Sequence, residues 1–281
     1  MNDYCYTYEV LKSGRAMFPM IDCVYVMIMN NSKYEARVRD QLAKYPLGQK
    51  ILLQKNAGFK RCRKSIARQD TIADLVDSNY TFLTNAIQNN YRRILVLEED
   101  FIISPKLGDK DVMRDIQSFL TVHEPEALLL GSVLWRTGAM LENFKEVEIK
   151  LGAHAIIYNH VGIQKLYNLL TPKMNTAIDV DILTNNYLKM YSYKLPLIIQ
   201  VYGGTDNQKN WGIHIRDKKK RERSIKMYLW FLGTLGFSDE KKIWDAYDLN
   251  YKVHFDWKYT IFQLILNFVS YYSDKYGNYT D

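Results

Sequence analysis

Apolar residues fall in short blocks separated by polar stretches with helical spacing. Residues 23–30, CVYVMIMN, are an apolar, β-prone run closed by Asn30 and Asn31, the pattern of a buried strand. Residues 32–45, SKYEARVRDQLAKY, have helical spacing and end at PLG. A second strand is predicted at 49–56 and a helix at 71–91, where Ile72, Leu75, Val76, Phe82, Leu83 and Ile87 recur on one side. A strand follows at 94–97, a helix at 109–123, a strand at 126–135 ending its apolar run at Gly131, and a strand at 154–159 leading into a helix at 160–170. The pattern then predicts a helix at 179–191 and a strand at 195–204 closed by glycines.

This alternation predicts an α/β fold, a Rossmann-type, mostly parallel sheet flanked by helices on both faces. After Gly204 the character changes to a basic run, HIRDKKKRERSIK, and an aromatic, helix-like tail. The expected organisation is an N-terminal extension over 1–20, a catalytic-type domain over 21–215 and a helical, basic and aromatic C-terminal extension over 216–281.

One stretch breaks the simple pattern. In RRILVLEEDFIIS (92–104) an apolar strand runs into Glu98, Glu99 and Asp100 and then returns to Phe101, Ile102 and Ile103. Three consecutive acids repel one another, and an ordinary turn would use Gly, Asn or Pro. In open α/β sheets ligands bind beyond the carboxyl ends of strands, where these acids stand. A hard divalent cation, Mg²⁺ or Mn²⁺, takes one or two carboxylates together with phosphate oxygens. In an extended segment Glu98 and Asp100 share a side and Glu99 takes the other. The competing reading is a solvated strand end whose acids pair with Arg92, Arg93 or Lys106.

Composition narrows the picture. The chain has 281 residues, 47% hydrophobic and 25% charged, enough for one large α/β domain or for one domain with an appendage. A net charge of +7 favours acidic partners without choosing among them. The 22 tyrosines, with many Asn, Lys and Ile, fit an AT-rich coding sequence. Cys5, Cys23 and Cys62 form no CxxC or His/Cys cluster, which argues against a structural zinc site, and such a sparse, odd set suits a reducing compartment. No signal-like N-terminus is present, and the nearest apolar run, 259–272, is short and broken by Gln263 and Asn267. The expectation is a cytoplasmic protein, soluble or peripherally membrane-associated.

The strand–Leu–Glu–Glu–Asp segment followed by an apolar residue resembles the LEDD signature of the lipooligosaccharide and collagen β-galactosyltransferase-like glycosyltransferases. Further segments resemble that family in the same order over residues 21–208: the helix entering the acid strand, LLLGSVLW with its glycine, GAHAIIYNHVGIQKLYNLL, AIDVDI and IIQVYGGTDN. The chain departs from the family pattern in three ways: Glu99 replaces the commoner Asp, TIADLVDSNY stands where a Gly- and Cys-rich helix entry is usual, and that helix lacks a His. The resemblance implies a GT-A fold in which a DXD-type motif holds a metal on a nucleotide-sugar diphosphate.

It implies the following roles, each with a plainer structural alternative. Glu98 and Asp100 would position Mn²⁺ or Mg²⁺, with His214 completing the site; alternatively His214 is an exposed loop residue. Asn30, Glu99 and Asp206 would contact the nucleotide-sugar donor, a UDP-sugar or another nucleotide-diphosphate sugar; Asp206 alternatively serves a turn. Asp179 would deprotonate the acceptor hydroxyl, with Asp181 and His154 beside it. The alternatives are helix N-capping by the two aspartates and a structural role for His154. Arg37, Arg61, Arg63 and Arg68 are candidate diphosphate partners, with nothing in the sequence to select among them.

The implied reaction is metal-dependent sugar transfer, with inversion, to a hydroxyl of a glycan or glycoprotein acceptor. Such an enzyme in this chain fits a large DNA virus or a bacterium building surface glycans. The basic run and aromatic tail suit weak contact with an anionic membrane surface. The rivals are a nucleic-acid-binding or -processing protein, which predicts salt-sensitive binding, and a catalytically inactive GT-A-like scaffold.

Overall fold

The computed structural model describes residues 5–12, 14–131, 133–151, 154–174, 187–194 and 197–200. Its strands are β1 (Tyr6–Leu11), β2 (Cys23–Met29), β3 (Lys50–Asn56), β4 (Arg93–Glu98), β5 (Phe101–Ile103), β6 (Ala127–Leu129), β7 (Val133–Leu141), β8 (Phe144–Leu151), β9 (Ala155–Asn159), β10 (Met190–Tyr193) and β11 (Ile198–Gln200). Its helices are α1 (Glu35–Lys44), α2 (Thr71–Gln88), α3 (Lys110–Val122) and α4 (His160–Leu169).

Nine strands form one sheet in the order β1-β3-β2-β4-β9-β6-β10-β8-β7, and β5 pairs with β11 apart from it. The α/β class holds. The β3-β2-β4 unit is parallel, as is β6 with β10, while β1, β9, β8 and β7 enter antiparallel. The reason β2 reads as unbroken apolar sequence is that both its faces are covered. Val24, Val26 and Ile28 pack with Val38 and Leu42 of α1 and Ile116 and Phe119 of α3. Cys23, Tyr25 and Met27 pack with Val76, Phe82 and Leu83 of α2 and Ile163 and Leu166 of α4.

Local signals explain the helix starts. Asp70 caps α2 by accepting the Ala73 N–H at 2.9 Å, and Asn159 caps α4 by accepting that of Gly162 at 2.8 Å.

Several expectations need correction. The strand expected over 126–135 is two, β6 and β7, parted around Gly131. A Cβ on Gly131 would overlap the Ile198 carbonyl and lie 3.0 Å from His154 Nε2, so the chain is pinched there by its neighbours. Residues 190 and 191, expected to end a helix, lie in β10, which joins the sheet beside β6. Residues 6–11, assigned to an extension, form an edge strand in six-residue register with β3. The C-terminal extension, including 259–272, lies outside the described residues. Among the described residues no helix is long and apolar enough to cross a membrane.

The expectation of a reduced cysteine set is also overturned: Cys5 and Cys62 form a disulfide, with Cα atoms 5.5 Å apart. It ties β1 to the β3–α2 connection across 57 residues of sequence. Sequence spacing hid the pair because the two cysteines meet only once β1 lies along β3. Cys23 is free and buried, and burial pushes its thiol up to about 12.

Two outcomes follow. Gly131→Ala is expected to cost about 1–3 kcal/mol through overpacking, read as a lower urea midpoint with an unchanged slope. Alkylation of the native, unreduced protein is expected to label no cysteine. Cys5→Ser is expected to lose about 2–4 kcal/mol of stability and to expose Cys62 to the reagent.

Candidate functional site

The chain leaves β2 through α1 on one face to reach β3, and leaves β3 through α2 on the opposite face to reach β4 on the other side of β2. The carboxyl ends of β2 and β4 therefore flank the topological switch point, the usual ligand crevice of such sheets. Met29 and Asn30 stand on one side of it and Glu98, Glu99 and Asp100 on the other.

The acidic turn is tied down from several directions. β4 ends at Glu98, whose residue pairs with Met27 and whose N–H donates to the His154 carbonyl at 3.2 Å. Glu99 and Asp100 then turn, and β5 begins. The Glu99 carboxylate accepts the Met29 N–H at 3.0 Å, joining the two strand ends across the crevice. Arg37 of α1 donates from Nη2 to the Glu99 carbonyl at 3.2 Å, and Gln41 accepts the Ile103 N–H at 2.6 Å. Asp100 is buried, whereas Glu98 and Glu99 are half-buried.

The two-residue alternation expected to put Glu98 and Asp100 on one side therefore stops at Glu98. The charge of Glu98 acts on Tyr158 in the α2/α4 cluster, whose hydroxyl is pushed up first by burial and then by that carboxylate. The charge of Asp100 acts on Arg37. Burial lowers the pKa of that guanidinium, and Tyr34, Asp100 and Glu99 oppose the shift. Of the cations expected to pair with the acids, Arg93 instead donates to the Leu120 carbonyl at 3.0 Å.

The other sequence-nominated residues are placed as follows. Asn30 is half-buried at the end of β2, and its N–H donates to the Asn56 carbonyl of β3 at 2.8 Å. His154 is 1% exposed, with Nε2 3.3 Å from the Ile198 carbonyl, so its ring props β11. Asp179, Asp181, Asp206 and His214 lie outside the described residues. The structure brings Asn30, Glu98, Glu99 and Asp100 together at one crevice and sets His154 behind it, under β11.

No family model matches the chain, and no curated protein matches it. Similar solved structures exist. One is a glycosyltransferase involved in the glycosylation of the major capsid of PBCV-1, at 7% identity and TM-score 0.41, covering 69% of this chain and 99% of that one. Another is A197 from STIV, at 13% identity and TM-score 0.40, covering 66% and 87%. A third is a cytidylyltransferase from Leptospira borgpetersenii serovar Hardjo-bovis, at 12% and 0.38, covering 84% and 99%. Likeness at this level carries no functional argument.

Whether the crevice suits a divalent cation is a question of donor chemistry. Glu98 and Asp100 are hard oxygen donors at a strand end. Among the described residues no three His, Cys, Asp or Glu side chains gather to hold a metal. Two carboxylates of this kind would suit an ion that completes its shell with phosphate oxygens of a substrate, and they do not make an all-protein cage.

A second polar cluster escaped the sequence reading. Lys64, with its side chain 2% exposed, is ion-paired with Asp74, lies 3.3 Å from Asp77 and donates to Asn56 Oδ1 at 2.8 Å and to the Tyr6 hydroxyl. Tyr6 donates to Asp77 at 2.6 Å. The cluster joins β1, β3, the β3–α2 connection and α2 at the carboxyl end of β3, the same end of the parallel strands as the crevice. A cavity of about 340 Å³ opens beside it, lined in part by Tyr6, Asp77 and Tyr80. Nothing in FKRCRKSIARQD marks Lys64 as the buried cation among its neighbours.

Lys64→Met would leave Asp74 and Asp77 facing each other without their cation. It is expected to cost about 3–5 kcal/mol. Adding Asp74→Leu should recover part of that loss in chemical denaturation, because one uncompensated carboxylate is removed.

Proposed function

We propose that this chain is a metal-dependent glycosyltransferase that uses a nucleotide-diphosphate sugar. The observation that carries the reading is the acidic turn at the switch point, held by Glu99 against the end of β2. Three consecutive acids at a ligand crevice repel one another, and a buried carboxylate is costly unless it is paired. A crevice for a cation with an anionic ligand accounts for that cost better than a solvated strand end, because Asp100 is buried.

In this reading Glu98 and Asp100 hold Mn²⁺ or Mg²⁺ together with the donor diphosphate. The bound ion would neutralise charge on the leaving nucleotide, replacing a general acid. Asn30, at the opposite lip, faces the nucleoside part of the donor. Glu99 acts by fixing the turn, since its carboxylate is engaged by the Met29 N–H. His154 supports β11. The resemblance of AIDVDI and GGTDN to the family named above assigns Asp179 as acceptor base, Asp181 beside it and Asp206 to the donor, with His214 as a further metal ligand. The acceptor is a hydroxyl of a glycan or glycoprotein, and the resemblance implies inversion.

The test is a thermal-shift screen of UDP-, GDP- and CMP-sugars with and without Mn²⁺. Stabilisation is expected only when one donor and the metal are both present, about 2.7 kcal/mol at a ligand concentration one hundred times Kd. Glu98→Ala and Asp100→Ala are each expected to abolish it. Stabilisation that survives both substitutions would exclude the metal assignment. Salt-sensitive binding to DNA or RNA without any donor effect would favour the nucleic-acid rival instead.

A further inference from the structure

The acidic turn already has a cation beside it. Arg37 lies on the first turn of α1, three residues after Tyr34, the spacing of side-chain neighbours on a helix. Its guanidinium carbon lies 4.6 Å from the centre of the Tyr34 ring, and its Nη2 donates to the Glu99 carbonyl. Its Nε is buried without a hydrogen-bond partner among the described residues. Asp100 and Glu99 are the carboxylates whose charges it feels. A guanidinium with an unsatisfied buried N–H stays in such a place only if something compensates it, and the acidic turn is the compensation on hand.

We infer that Arg37 is the resident counter-ion of the acidic turn, and that a divalent cation binding Asp100 must work against its charge. The metal half of this rests on the acidic turn being a donor site. Its consequence is an order of loading. The ion alone meets a turn whose charge Arg37 has partly neutralised, and binds weakly. A nucleotide diphosphate brings negative charge of its own, so metal and donor enter together. Arg37 is thus a positioning residue that couples metal affinity to donor occupancy, and among the four candidate arginines it alone is assigned this role.

The experiment has two readouts on the full chain. Free Mn²⁺ is titrated by electron paramagnetic resonance, with and without UDP, for the wild type, Arg37→Gln and Arg37→Lys. Thermal stability without metal is measured for Arg37→Gln, Asp100→Asn and the pair. Removing one positive charge beside a divalent ion is expected to tighten Mn²⁺ binding about five- to ten-fold in the absence of UDP. Arg37→Lys, which keeps the charge, should bind Mn²⁺ as the wild type does. A merely structural arginine would give the opposite result, because loosening the turn weakens metal binding. The two melting-point losses should add to more than that of the double variant, because each single change strands the other's charge.

Additive losses together with unchanged or weaker Mn²⁺ binding in Arg37→Gln would overturn the inference. If Arg37→Gln does not fold, an unchanged affinity in Arg37→Lys together with a lowered melting point in Asp100→Asn supports it. A weakened affinity in Arg37→Lys overturns it. Non-additive losses with no Mn²⁺ binding by any variant, with or without UDP, would leave Arg37 as counter-ion. That outcome would instead remove the metal from the reading of the site.

Discussion

The hydrogen bond from the Met29 N–H to the Glu99 carboxylate is the contact on which the crevice depends. At a switch point the connections after β2 and β4 leave in opposite directions, so nothing in the sheet ladder beyond Met27 and Glu98 holds the two strand ends together. A backbone N–H bonded to an ionised carboxylate contributes about 1.5–3 kcal/mol, enough to fix a two-residue turn. The bond also explains why the middle acid of the three is a glutamate. Its longer side chain spans from the turn to the neighbouring strand end, while Asp100, one residue on, is short and buried.

The opposite lip is fixed from the sheet edge. Asn30 hangs from the Asn56 carbonyl, and the Asn56 side chain accepts from Lys64 and donates to Asp74 at 3.3 Å. Lys64 lies two residues beyond Cys62, which is bonded to Cys5 beside β1. A contiguous set of covalent and polar contacts thus runs from the edge strand to the crevice. Buried ion pairs of this kind contribute little net stability, because desolvation offsets their attraction. Their effect is to allow one arrangement of the β3–α2 connection and few others. The carbonyl that positions Asn30 is then held as firmly as the ladder behind it.

How far the sequence was legible follows from which interactions are local. β2, β3, α1, α2, β4, α3, β9 and α4 were readable because each is a run of apolar residues with one period, and both faces of β2 left a continuous block. Helix caps at Asp70 and Asn159 are local as well. What was not legible depends on distant chain. Strand direction is invisible in periodicity, so the antiparallel entry of β9 between β4 and β6 could not be read from AIIYN. Gly131 marks a close approach by Ile198, 67 residues later, and so appeared only as the end of an apolar run. At the site, the acids and Asn30 could be nominated because strand ends point to crevices. Arg37 could be named but not chosen, since its contact with the Glu99 carbonyl exists only once α1 packs beside the turn. Extrapolating strand alternation through Asp100 failed for a local reason: β4 stops at Glu98.

The β5–β11 ladder carries one more consequence for the late residues. Its register sets Gln200 opposite Phe101, the residue after Asp100. The chain that follows β11 therefore starts beside the acidic turn, although 100 residues of sequence separate Gln200 from Asp100. His154 gains its importance from the same ladder, since by propping Ile198 it holds in place the strand from which that segment departs.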